Sequence, residues 1–140
     1  MNARMQGLME LENLPYGARS HTYNSRLAQE LGTWAETQEG GEAIHDKIYK
    51  AYFVDNKNVG DVEVLVELAK SVGLDGDEAR KVVEQRTFEE AVDADWQKSH
   101  QYGVTGVPTF VAGGQSLVGA QPYEGLEQLM EAAGIQRKAD

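Results

Sequence analysis

Glu42 and His45 are the residues of this sequence whose types and spacing come nearest to a metal site. A carboxylate and an imidazole three residues apart lie on one face of a helix, as in the metal-binding pairs of helical bundles. Such a site needs a second pair, and the other histidines, His21 and His100, lie in unrelated local patterns. We therefore expect His45 to be hydrogen-bonded or exposed, and we predict no metal site and no cofactor.

The other side chains that commonly carry out enzyme chemistry also lack their partners. Asp93 and Asp95 point to different faces of a predicted helix, and no serine lies in a Gly-x-Ser-x-Gly elbow. Lys57, Val59 and Val66 occupy positions of a calcium loop where oxygen ligands are required. The sequence contains no cysteine, whereas thiol–disulfide exchange needs one thiolate to attack and another to leave. We predict no catalytic residue within this chain.

The most specific backbone pattern lies in residues 103–114, with the sequence GVTGVPTFVAGG. Gly103 suits the left-handed position just after a helix, and Val107 must be extended because Pro108 follows it. The branched and aromatic residues after Pro108 favour a short strand, and the paired glycines favour a tight turn into a second strand over 115–119. The pattern predicts a helix end, a proline turn and a β-hairpin.

Together with Gly119-Ala120-Gln121-Pro122-Tyr123, and with Tyr23–Ala28 and Ala51–Val54 upstream, this stretch resembles DsbA-type thioredoxin-fold proteins. Within them the chain is most similar to the FrnE-like branch of disulfide oxidoreductases, which is often grouped with the 2-hydroxychromene-2-carboxylate isomerases. The resemblance covers nearly the whole chain. It implies a cis bond between Val107 and Pro108, in a loop that faces a Cys-x-x-Cys motif in the family.

The same resemblance implies a function for the loop. In the family, the backbone before the cis proline pairs with an extended substrate peptide, which is a short form of strand addition. Carried over residue by residue, it assigns substrate binding to Thr105, Val107 and Pro108. An extended peptide or protein is the partner that this assignment implies.

The family's opening strand–helix–strand unit, which carries the Cys-x-x-Cys, has no counterpart before Met1. We therefore interpret the chain as a truncated DsbA/FrnE-like oxidoreductase that is redox-inactive alone. Two alternatives remain open. One is a non-catalytic peptide-binding or assembly module; the other is a remnant of the isomerase branch, whose members use serine in place of the first cysteine and bind glutathione.

Helical periodicity predicts the elements that must position the loop. Seven helices are expected, over about 1–13, 23–38, 42–54, 61–72, 77–84, 87–102 and 122–133. The aromatic residues at helical spacing are predicted to be core: Trp34, Tyr49, Tyr52, Phe53, Phe88 and Trp96. The expected fold is α+β and mostly α. It comprises a helical insertion subdomain, residues 1–102, and the C-terminal hairpin and helix of an incomplete thioredoxin-like domain, residues 103–140.

The composition limits the classes of binding partner. The formal net charge of −10 argues against nucleic acid and anionic membranes. No apolar run approaches the roughly 20 residues of a membrane span and no signal peptide opens the chain, so a cytoplasmic location is expected. A lone hairpin is only marginally stable and its open edge can template another chain. We therefore predict self-association through that edge.

Overall fold

The computed structural model describes residues 2–18 and 20–138. Within them it is α+β and mostly α, as predicted, with seven α-helices and one two-stranded antiparallel sheet. In chain order the elements are α1 (Asn2–Leu11), α2 (Arg26–Ala35), α3 (Ile44–Phe53), α4 (Val62–Ser71), α5 (Gly76–Glu84), α6 (Glu89–Gln101), β1 (Thr109–Ala112), β2 (Gln115–Val118) and α7 (Tyr123–Ala132). A 3₁₀ turn, Gly41–Ala43, precedes α3. Met1, the first residue of the first predicted helix, lies outside the described residues.

The chain forms two compact units, Met1–Ala94 and Asp95–Asp140, which we call the helical unit and the hairpin unit. The boundary between residues 102 and 103 is inferred from the family resemblance. It marks parts of different evolutionary origin and stays a prediction. No helix in the described residues is both long and apolar enough to cross a membrane.

Local capping explains where the helices of the helical unit begin. Asp61 accepts a hydrogen bond from the backbone N–H of Glu63 (2.8 Å), and Asp75 accepts bonds from the backbone N–H groups of Asp77 and Glu78, so both aspartates are N-caps. Helix α2 begins later than predicted, because the Asn24 side chain accepts from the backbone N–H of Arg26 (2.8 Å) and holds a turn before the helix. Helix α6 begins at Glu89 because Arg86 adopts a left-handed backbone (φ 54°).

The core of the helical unit is an apolar cluster drawn from α2, α3, α4 and α5 and from the loop before α4. Its buried members are Ala28, Leu31, Trp34, Ala35, Ile44, Ala51, Val59, Leu65, Leu68, Ala69, Ala79, Val82 and Val83. Trp34 is core as predicted, and Tyr52 and Phe88 pack against the cluster as partly buried rings. Tyr49, by contrast, is 63% exposed, and Phe53 is also exposed. The core prediction is therefore wrong for these two side chains, because within the described residues the face of α3 that carries them stays exposed.

A fully buried carboxylate, Glu30, lies on the inward face of α2. Arg86 donates to it through Nε (2.9 Å to Oε1) and through a terminal nitrogen (2.6 Å to Oε2), and Arg26 Nε donates to Oε2 at 3.0 Å. Arg26 also donates to Asp93 at 2.6 Å. These bonds, chiefly those from Arg86, lower the pKa of Glu30 below its ordinary value, although burial acts in the opposite direction. The buried charge is thus compensated on both carboxylate oxygens.

The hairpin unit is built around the register Thr109↔Val118, Phe110↔Leu117, Val111↔Ser116 and Ala112↔Gln115. The two turn residues, Gly113 and Gly114, have φ values of 57° and 77°, the pattern of a type I′ turn, which confirms the predicted glycine turn. A Cβ on Gly113 would lie 2.8 Å from the Cβ of Ala133, just after α7. The hairpin tip therefore packs directly against the end of this helix.

Candidate functional site

The candidate loop starts from the end of α6, where the chain reverses through a glycine. Gly103 is left-handed (φ 76°), as predicted. Its N–H donates to the carbonyl of His100 (2.9 Å), and the N–H of Val104 donates to the carbonyl of Ser99 (3.0 Å). These two bonds form a Schellman motif, which directs Val104 back against the last turn of the helix.

Beyond Val104 the loop is held at its proline end. The peptide bond between Val107 and Pro108 is cis, the geometry that the resemblance implies. Thr109 Oγ1 donates to the carbonyl of Gly106 (2.6 Å), and the N–H of Gly119 donates to the carbonyl of Pro108 (2.7 Å). The loop is therefore tied to the first strand and to the residue that follows the second.

Thr105, Val107 and Pro108, the three residues assigned to substrate binding, are all exposed, with Val107 at 88%. Within the described residues, no hydrogen bond involves the backbone N–H or C=O of Thr105 or Val107. Thr105 and Val107 line one groove, and Pro108 follows directly after it in the chain. The backbone at Val107 is thus both ordered by its neighbours and open to an incoming chain.

Sequence reasoning missed part of this groove. Trp96, Ser99 and His100 lie on one face of α6 at i, i+3 and i+4 spacing and line the same groove as Val107. Trp96 is 49% exposed, so its predicted place in the core is wrong. The helical spacing in α6 predicts that these residues share one face. It does not predict that this face lines a groove beside the loop and is open to solvent.

The strand that follows the loop presents an open edge. Because Pro108 pairs with Gly119 through a hydrogen bond, the alternation of an antiparallel ladder directs the N–H and C=O groups of Thr109 and Val111 away from β2. Within the described residues the sheet has two strands, so no strand pairs with that side. Phe110, Val111 and Val118 are exposed on the hairpin. The edge is therefore both apolar and unpaired.

The remaining candidates do not gather into a site. His45 Nε2 lies 3.2 Å from Oε1 of Glu36, so its acidic neighbour is not the Glu42 singled out by sequence spacing. Asp93 accepts a hydrogen bond from Arg26 and belongs to the Glu30 cluster. In the parts of the chain that the structure describes, no group of three or more His, Asp or Glu side chains is placed to hold a metal ion.

Comparison with known proteins shows which family and which structures this chain is similar to. A family model described as a DSBA-like thioredoxin domain matches residues 1–131. The uncharacterized protein YwbO of Bacillus subtilis (strain 168) is 31% identical over 101 residues, which cover 71% of this chain and 50% of that protein. The crystal structure of a probable DsbA oxidoreductase from Streptomyces coelicolor superposes with a TM-score of 0.83 at 31% identity, covering 99% of this chain and 62% of the other. The chain thus spans about half to three-fifths of the length of these relatives.

Proposed function

Because the chain belongs to the DsbA-like thioredoxin domain family, we propose that it carries the polypeptide-holding part of a thiol–disulfide oxidoreductase of the FrnE type. In this proposal the Val107 backbone pairs with an extended segment of the substrate. The redox cysteines act from outside these 140 residues, which contain none. The probable oxidoreductase activity of the Streptomyces relative and the shared fold support the proposal.

The observation that carries this proposal is the state of the Val107 backbone. Its N–H and C=O have no hydrogen-bond partner in the described residues, and the side chain beside them is 88% exposed. The backbone of an extended peptide offers a matching donor and acceptor. Strand addition therefore gives the N–H and the C=O of Val107 each a hydrogen-bond partner without rearrangement of the loop. The bonds at Gly106 and Pro108 hold the loop in place before binding, which reduces the entropy lost on association.

Peptide binding tests the proposal directly. The probe is the acetylated and amidated peptide Ser-Thr-Ala-Thr-Ser, and its control is the same peptide methylated on the central amide nitrogen. We expect the unmodified peptide to shift the amide resonance of Val107 in a nitrogen–proton correlation spectrum. The methylated peptide should bind about 5- to 10-fold more weakly, because it cannot donate the central hydrogen bond.

Two kinds of result would contradict the proposal. Equal affinity for both peptides, or shifts that leave Val107 unchanged, would show that the loop does not pair with a backbone. Robust acceleration of insulin reduction by the purified chain would show that it performs thiol chemistry without cysteine. The second result would overturn the assignment of the redox step to residues outside this chain.

We also propose that the open edge of β1 pairs with a second copy of the chain, as a non-catalytic assembly surface. The outward N–H and C=O groups of Thr109 and Val111 offer a ladder, and exposed apolar side chains flank it. An unpaired strand edge with apolar neighbours is a usual template for pairing between chains. Antiparallel pairing of two identical edges closes as a symmetric dimer.

Light scattering after size-exclusion chromatography measures this self-association. We expect a species of twice the mass of one chain, and we expect Val111→Lys to shift it to the monomer, because a lysine on an edge strand opposes pairing. Gln115→Lys, which adds the same charge beside the turn, is the control and should leave the dimer intact. A wild-type monomer over the full concentration range would refute the assembly surface.

A further inference from the structure

A groove lies beside the candidate loop, at the end of α6. We call it the Trp96 groove. It has a volume of about 510 Å³, within the range of roughly 300–1,000 Å³ that is common for ligand sites. Its lining residues are Trp96, Ser99, His100, Val104, Thr105, Gly106 and Val107. All of them lie within the hairpin unit.

The backbone of the helix end builds this groove. Trp96, Ser99 and His100 share one face of α6, and the Schellman bonds at Gly103 turn Val104 towards that face. The chain then continues through Thr105 to Val107, which forms the other side. The two sides are joined by a capped turn, so the groove is part of the folded chain and not a gap between mobile segments.

The chemistry of the lining favours an uncharged, apolar occupant. Trp96, Val104 and Val107 supply apolar surface, and no Asp, Glu, Lys or Arg is among the lining residues. The polar atoms are the hydroxyls of Ser99 and Thr105 and the imidazole of His100, which tolerate an uncharged neighbour. The indole of Trp96 is 49% exposed and can contribute apolar contact to an aromatic side chain.

Val107 belongs to both this groove and the backbone site. In strand addition, main-chain hydrogen bonds supply affinity, and pockets beside the strand select alternate side chains. A peptide paired with Val107 therefore lies beside the groove that Val107 itself lines, within reach of its side chains. We propose that the Trp96 groove is the specificity pocket of the loop and selects a large aromatic or aliphatic side chain in the bound polypeptide. The inference rests on the polypeptide-binding function proposed above.

A comparison of two peptides tests the specificity pocket separately from the backbone pairing at Val107 on which it rests. The probes are acetylated and amidated Ser-Thr-Ala-Thr-Ser and Ser-Thr-Phe-Thr-Ser, titrated while the Val107 amide and the Trp96 indole N–H are followed by nuclear magnetic resonance. We expect the phenylalanine peptide to bind about 10-fold more tightly, through the apolar area and ring contact that alanine lacks. It should also shift the indole signal, while both peptides shift Val107.

The variant Trp96→Ala should remove that difference, so that the two peptides bind with similar affinity, and a shift of the Val107 amide with either peptide shows that the loop is folded. Tyr102→Ala is the matched control: it removes an exposed aromatic side chain beside the same helix end, outside the groove, and the difference should persist. Equal affinities in the wild type, or a preference that survives Trp96→Ala, would overturn the specificity pocket while the backbone function stands. Failure of both peptides to shift Val107 would overturn both.

Discussion

Replacing Arg86 by alanine is expected to destabilise the helical unit more than any other single substitution of a charged side chain in its described part. The substitution removes three hydrogen-bond contacts to the buried Glu30 and leaves Arg26 as its cationic partner. A carboxylate that is buried and only partly compensated costs about 2–3 kcal/mol. The measurement is the free energy of unfolding from urea titration followed by circular dichroism.

The matched control is Arg80→Ala. Arg80 also donates to both oxygens of a carboxylate, that of Glu63, at 2.6 Å and 2.9 Å, but Glu63 is largely exposed. Water replaces the lost bonds there, so we expect a small change in stability. Arg86→Gly should recover part of the loss, since glycine accepts the left-handed backbone that Arg86 adopts. An Arg86→Ala loss no larger than that of Arg80→Ala would contradict the role of the buried cluster.

The same cluster predicts a dependence on pH. Because the pKa of Glu30 is lowered in the folded protein, its contribution to stability is fully present above its ordinary pKa of 4.5. That contribution is lost as the pH falls through the lower, folded-state value. The gap in stability between the wild type and Arg86→Ala should therefore be largest near neutral pH and should narrow below pH 4.5. A gap that is constant across this window would argue against ionised Glu30 as its source.

Gly113→Ala is expected to produce the largest loss of stability in the hairpin unit. Two costs combine at this position. The backbone is left-handed (φ 57°), and a Cβ would lie 2.8 Å from Cβ and 2.9 Å from Cα of Ala133. The backbone and steric terms together amount to about 2–4 kcal/mol. Hydrogen exchange of the hairpin amides measures the loss locally.

Gly114→Ala is the control for the steric part of this cost. Gly114 is also left-handed (φ 77°), but no described atom lies within 4 Å of the position that its Cβ would occupy. Only the backbone cost of about 1 kcal/mol is expected. Equal losses in the two variants would mean that the hairpin tip does not pack against the end of α7 as the structure has it.

Several features follow from the sequence by itself, because they depend on interactions within a few residues. Asp61 and Asp75 cap the helices that they precede, and Gly103 ends α6 with a left-handed backbone. The paired glycines close the hairpin in the same way. Each needs only a side-chain oxygen near free N–H groups, or a residue without a Cβ where the turn requires one. The assignment of Thr105, Val107 and Pro108 to substrate binding depends on a resemblance whose most specific motif lies in one continuous stretch.

Only the tertiary structure decided what each helix face meets. Trp96 has the spacing of a core residue, but its face of α6 lines an open groove. Glu30 lies on the same kind of apolar stripe, and it is buried because Arg86, 56 residues further along, reaches it. Periodicity shows which side chains share a face, but the burial of that face depends on which distant segment packs against it. That choice depends on the whole chain, so local sequence pattern does not contain it.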